Sequence, residues 1–108
     1  MGAAYIEQVH DVTRLVPAGR VTTYGAIADF LTLGSARMVG WALFNSIRAD
    51  DIPAHRVVNR RGELSGRNHF ATPGLMQEKL EAEGVVVQDD RVRDFDRLFW
   101  SPTELLHQ

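Results

Sequence analysis

The sequence predicts a mostly α domain with a minor β part: a winged-helix-like, three-helical arrangement containing a helix-turn-helix and a small β-hairpin. Three observations point there. Apolar residues recur at helical spacing through the amino-terminal part, a glycine turn separates two short helical stretches, and short apolar segments flank Gly62 further on. At 108 residues the chain has room for a single core, so one domain is expected over residues 1–108, with no linker.

From Tyr5 to Leu15 the apolar residues Ile6, Val9, Val12 and Leu15 form one stripe of an amphipathic helix, which Pro17-Ala18-Gly19 should end. Arg20-Val21-Thr22-Thr23 is short, β-branched and extended. Either threonine can cap a helix from Tyr24 to about Leu31, with Ile27, Phe30 and Leu31 inward and Gly34 closing it. Ser35 then caps a helix from Ala36 to about Ser46 whose core stripe is Val39, Ala42 and Leu43, while Ala36, Arg37, Gly40 and Phe44 follow another face. This pair reads as the helix-turn-helix. Gly62 allows a tight turn between Val57-Val58 and Glu63-Leu64, the expected hairpin. Thr72 should cap, and Pro73 start, a helix running through Met76 and Leu80 to Glu83, with Gly84 at its end. Val85 to Val92 can be extended around Asp89-Asp90, and Phe95, Leu98, Phe99 and Trp100 form an apolar tail.

Composition narrows the function classes. The chain is 44% hydrophobic and 24% charged, as globular proteins are, and no apolar run approaches the roughly 18 residues of a membrane helix. The amino terminus lacks the regions of a secretory signal, so a cytoplasmic location is expected. With zero cysteines there are no disulfides or thiolate metal sites, and His10, His55, His69 and His107 show no ligand spacing. Neither metal nor cofactor is expected. Net charge is −2, but between Ser35 and Phe70 six arginines, Arg37, Arg48, Arg56, Arg60, Arg61 and Arg67, face three acids, Asp50, Asp51 and Glu63. That stretch is basic and the rest acidic; Lys79, the only lysine, lies outside it.

Four motifs occur in order: Val21-Thr22-Thr23-Tyr24-Gly25-x-Ile27-Ala28, Ala36-Arg37-x-Val39-Gly40, Asn45, and Pro53-Ala54-His55-Arg56-Val57. Together they resemble the O6-alkylguanine-DNA alkyltransferases, whose Pro-Cys-His-Arg-Val block carries the cysteine that accepts the alkyl group. Here that position is Ala54, which can neither ionise nor attack carbon. The chain is more similar still to the alkyltransferase-like proteins, the non-enzymatic relatives, and the likeness covers nearly its full length.

The resemblance implies a fold like the alkyltransferase carboxy-terminal domain and a partner: double-stranded DNA carrying O6-alkylguanine, handed on to nucleotide excision repair proteins. By the same likeness Tyr24 crowds the phosphate beside the damaged nucleotide, and Arg37 enters the duplex in place of the flipped base. Both are expected at the surface. Ala36 and Gly40 let the helix approach the minor groove, and Trp41, a departure from the family, either packs in the core or faces DNA. The lesion pocket would comprise Tyr24, Ala54, His55, Val57, Val58, Ser65 and Arg67, with Arg67 on the alkylguanine or on a phosphate. Asn45, Arg56 and Glu83 would form a structural network, His55 and Glu83 having lost the thiol they would activate. Arg60 and Arg61 share a turn, facing solvent or the backbone. Two other readings stay open at this point: an enzyme using water activated by His55 and Glu83, and a winged-helix transcription regulator, which would dimerise where a damage sensor is expected to be a monomer.

Overall fold

A computed structural model describes residues 3–45 and 51–107, the side chains of Ala3 and His107 excepted. Readings that fall on Met1, Gly2, Ser46, Arg48 and Asp50 lie outside the described residues. Helix α1 (Ala3–Arg14) buries Val9 and Val12. Its stripe does not extend to Leu15, which is 52% exposed: the helix stops at Arg14, and Val16, at 1%, takes the inward place after the turn.

Strand β1 (Thr22–Thr23) leads directly into α2 (Tyr24–Phe30). Thr23 is the cap, its Oγ1 accepting from the Ala26 N–H at 3.0 Å. After residues 31–35, α3 (Ala36–Phe44) packs on both α1 and α2. Ile27 and Ala28 of α2 meet Val39, Ala42 and Leu43 of α3 and the α1 valines in a first core, which Val57 completes.

The hairpin is not where the sequence places it. Strand β2 (Val57–Val58) pairs in parallel with β1, Thr22 opposite Val57 and Thr23 opposite Val58, and not with Glu63-Leu64. Side chains alternate along a strand, so in this position Val57 enters the first core and Val58 the second, both at 0% exposure. Glu63 bridges Arg91 instead. The true hairpin is β3 (Val87–Gln88) against β4 (Arg91–Val92), antiparallel around Asp89 and Asp90, whose φ angles of +55° and +59° make the two-residue turn.

Helix α4 (Leu75–Ala82) also starts later than expected. The Thr72 carbonyl accepts from the Leu75 N–H at 3.2 Å, so 72–74 form a turn ahead of the helix, and neither Thr72 nor Pro73 belongs to its first turn. Met76 and Leu80 join Val21, Val58, Leu64, Val85, Val87 and Val92 in the second core. After α5 (Phe95–Leu98) the tail returns to β1: Val21 N–H donates to Leu98 O at 3.1 Å, and Trp100 N–H to Val21 O at 2.7 Å. Arg20 Nη2 donates to Phe99 O at 2.7 Å, and Trp100 is buried. Among the described residues no helix is long and apolar enough to cross a membrane.

The cap at Thr23 sets where α2 begins and hence where Tyr24 stands. Thr23→Ala should cost about 1 kcal/mol, read as a lower urea midpoint with an unchanged slope.

Candidate nucleic-acid interface

The start of α2 and one face of α3 wall an open cleft of about 520 Å³, closed opposite by Ser65, Gly66 and the exposed His69. Three chain segments meet there because Gly66 has no side chain. A methyl group at Gly66 would stand 2.7 Å from the Tyr24 hydroxyl and 2.9 Å from Phe44 Cζ. Phe44 in turn stacks on His69, ring centres 4.5 Å apart and planes within 10°, and meets Phe70 edge-on at 6.0 Å. Burial pushes the Tyr24 phenol up, with hydrogen bonding from Ser65 opposing it, so the hydroxyl stays protonated.

Tyr24, Ala36, Arg37, Gly40 and Trp41, the residues assigned to DNA contact from sequence, all line this cleft, together with Asn45 and Ser65. Trp41 is 51% exposed, which decides between the two placements open to it: it is on the surface. Arg37 is exposed, and no ion pair or side-chain hydrogen bond engages it among the described residues. Tyr24 is half-buried, a correction to its expected exposure, because its ring packs beside Gly40 and over Gly66.

The expected lesion pocket is only partly assembled in this cleft. Ser65 and Tyr24 line it; Ala54, His55, Val57, Val58 and Arg67 do not. The side chains of Val57 and Val58 belong to the cores. Ala54, in a 3-10 turn over Ala54–Arg56, packs half-buried against the first core. Arg67 turns away: its Nη1 donates to Leu64 O at 3.2 Å, and its Nη2 lies 3.9 Å from Asp90 on the hairpin turn. Sequence reasoning missed Gly66, His69 and the cleft-facing part of Phe44. The available signal was the sequence Ser65-Gly66, a glycine next to a residue already assigned to the pocket.

Outside the lining of the cleft, one carboxylate joins three segments. Glu83, just past α4, accepts from Arg56 Nη2 at 2.6 Å and Nε at 3.0 Å, and from His55 Nε2 at 2.9 Å. Arg56 Nη1 also donates to Val16 O at 2.8 Å, beyond the end of α1. Asn45 stands apart from this network, at the carboxyl end of α3. Burial alone would raise the Glu83 carboxyl, but the hydrogen bonds from Arg56 and His55 outweigh it and hold the group at about 2. Burial lowers His55 despite Glu83, so the imidazole is neutral and donates its Nε2 proton. Among the described residues no three His, Asp or Glu side chains gather as a metal site would require.

Both shifts make the fold acid-sensitive. In the unfolded chain His55 binds a proton near 6.5 and Glu83 near 4.5, above their folded values. Stability is therefore complete above the first value, falls as pH drops through it, and falls again from 4.5 toward 2. Glu83→Gln should cost about 3 kcal/mol and erase the lower limb of a plot of melting temperature against pH; an unaltered lower limb would show that Glu83 does not set it. Gly66→Ala should fold, because its φ of −90° suits alanine, yet displace Tyr24 and Phe44. A change in tyrosine fluorescence with little loss of melting temperature would register that displacement.

Comparison with known proteins agrees with this architecture. Residues 4–85 match the family model described as 6-O-methylguanine DNA methyltransferase, DNA binding domain. Alkyltransferase-like protein 1 of Schizosaccharomyces pombe is 32% identical over 103 residues, covering 91% of this chain and 95% of that protein. A protein of Vibrio parahaemolyticus named DNA base-flipping protein is 33% identical over 99 residues, covering 91% and 97%. Among solved structures, S. pombe Atl1 in complex with damaged DNA containing O6-carboxymethylguanine superimposes with a TM-score of 0.77 at 30% identity, covering 91% of this chain and 95% of that one.

Proposed function

The chain belongs to the family of the 6-O-methylguanine DNA methyltransferase DNA-binding domain, and from that premise we propose that it is a non-enzymatic sensor of O6-alkylguanine in duplex DNA. It binds the lesion, turns the base out of the stack, and presents the complex to nucleotide excision repair. The observation that carries this reading is a cleft furnished for opening the duplex in a chain without a thiol: Tyr24, Arg37 and Trp41 line the cleft, while Ala54, outside its lining, holds the acceptor position and the chain has no cysteine.

Each group has a physical task. Ala36 and Gly40 keep the exposed face of α3 low enough to enter a minor groove. Arg37, without an acidic partner of its own, is available to fill the gap left by the extruded base through stacking and hydrogen bonding. Tyr24, held between Gly40 and Gly66, is a rigid wedge against the neighbouring phosphate. Extruding a base costs a few kcal/mol, and less for one that pairs badly, so the DNA itself supplies part of the selectivity. Ala54 takes less room than a cysteine would. His55, Ser65 and Arg67 complete the proposed lesion site around it, Arg67 by swinging from Leu64 and Asp90 toward the base.

Hydrolysis by an activated water is disfavoured by the electrostatics. A carboxylate held at about 2, with both oxygens engaged by Arg56, is too weak a base to take a proton from water, and burial of His55 lowers the basicity of the imidazole as well. Recognition is then reversible, and the proposed protein is a monomeric, cytoplasmic domain over residues 1–108 that signals through the lifetime of its complex.

Fluorescence anisotropy with two duplexes identical except for one O6-methylguanine, followed by mass spectrometry of the protein, tests the reading. The lesion duplex should bind at least about tenfold more tightly, with no mass gained. Arg37→Ala should remove most of that preference at unchanged melting temperature, since the side chain is exposed and unpartnered. Equal affinity for both duplexes would point instead to a sequence-reading regulator.

A further inference from the structure

The described arginines fall into two sets. Arg14 pairs with Asp11 and Asp51, Arg20 with Glu104, Arg56 with Glu83, Arg67 with Asp90, Arg91 with Glu63 and Arg97 with Asp94; Arg93 bonds Gln88. Among the described residues, three have no ion pair and no side-chain hydrogen bond: Arg37, Arg60 and Arg61. These three are not scattered. Arg37 lines the cleft already described, and Arg60 and Arg61 line a neighbouring one of about 400 Å³ that shares Tyr24 and Ala36 with it. Both clefts border Tyr24 and Ala36, the first residues of α2 and α3.

The loop that carries Arg60 and Arg61 is fixed in shape. Asn59 Oδ1 accepts from the N–H groups of Arg61 and Glu63, each at 2.9 Å, and its Nδ2 donates to Glu63 Oε1 at 2.8 Å. Gly62 N–H closes the turn on Asn59 O at 2.9 Å, with φ at +80°, a conformation that suits glycine. The exposed side chains of Arg60 and Arg61 therefore project from an ordered backbone. Glu63, the one acid lining this cleft, bonds Asn59 and pairs with Arg91 at 3.5 Å; Arg61 is near enough to attract its charge but forms no ion pair with it. Ser35 gives α3 no side-chain cap, which leaves N–H groups of its first turn without that partner near the shared residue Ala36.

We propose that the Asn59–Arg61 turn is a second backbone-phosphate site: Arg60 and Arg61 hold phosphates of the duplex in the cleft that adjoins the Arg37 cleft at Tyr24 and Ala36. Tyr24 lines both clefts, each of which carries arginine without an ion pair, and the strand it crowds is gripped at a second point beside the distorted nucleotide. The inference rests on the proposed function only in taking duplex DNA as the partner. Phosphate contacts carry no sequence or lesion information, so this site adds affinity and register while discrimination stays with the other cleft.

The test is to measure affinity against sodium chloride concentration for the wild-type chain, Arg60→Ala/Arg61→Ala and Arg60→Lys/Arg61→Lys, on duplexes with and without O6-methylguanine. Each phosphate contact contributes about 0.9 to the slope of log affinity against log salt. The alanine pair should lower that slope by roughly two, weaken both duplexes by the same factor of about ten or more at low salt, and leave the lesion preference unchanged. The lysine pair should restore the slope. An unchanged slope in the alanine pair, or a loss confined to the lesion duplex, would overturn the proposal. Absence of lesion preference in the wild-type chain would remove the damage-sensor reading, yet the slope comparison would still decide whether the turn binds phosphate.

Discussion

The Glu83 carboxylate is the constraint on which the rest of the structure depends. Through Arg56 and His55 it joins the end of α4 to the 3-10 turn over Ala54–Arg56, and through Arg56 to the backbone at Val16. Two-residue strands are too short to define their own pairing, so β2 needs an anchor to lie beside β1 in register. The residues just before β2 supply it. Once Val57 and Val58 are placed, each closes a different core, and the two halves of the domain are stitched along the β1–β2 pair. A largely buried ion pair is weak evidence for net stability, but breaking it by removing one partner is costly because it strands a charge. Here Arg56 is the group that would be stranded.

That constraint also accounts for what was legible in the sequence and what was not. Helices α1, α2 and α3 were readable because their apolar periodicity and the Thr23 cap are local signals. The partner of Val57-Val58 was not. A parallel pairing across more than thirty residues leaves no mark in local pattern, and Gly62 with Glu63-Leu64 offered a nearer and false one. Leu15 and Val16 were exchanged for a related reason: the helical stripe predicts the inward residue only while the helix lasts. At the site, the cleft side of α3 was legible from the resemblance of Ala36-Arg37-x-Val39-Gly40. The opposite wall was not, because it is made by the absence of a side chain at Gly66 and by the stack of Phe44 on His69, contacts that exist only in three dimensions.

The distribution of charge explains how a chain of net charge −2 can present a surface suited to DNA. Net charge counts every arginine equally, whereas a phosphate meets only those whose charge is not already taken up within the protein. Most arginines outside the clefts are matched to an acid. Among the described residues, those without an ion pair or a side-chain hydrogen bond line the two clefts that share Tyr24 and Ala36, so uncommitted positive charge is concentrated there although the overall sum is negative.

Absence of the thiol then changes what the retained groups are for. In a transferase, a histidine and a glutamate beside the acceptor would share a proton with sulfur; here Glu83 is fixed ionised by Arg56, and His55 is left neutral with its Nε2 proton directed at that carboxylate. The network that served chemistry in such an arrangement serves geometry in this one. It ties the 3-10 turn that carries Ala54 to the end of α4 and to Val16, so that, in the proposed function, less of the binding energy would be lost in ordering the protein.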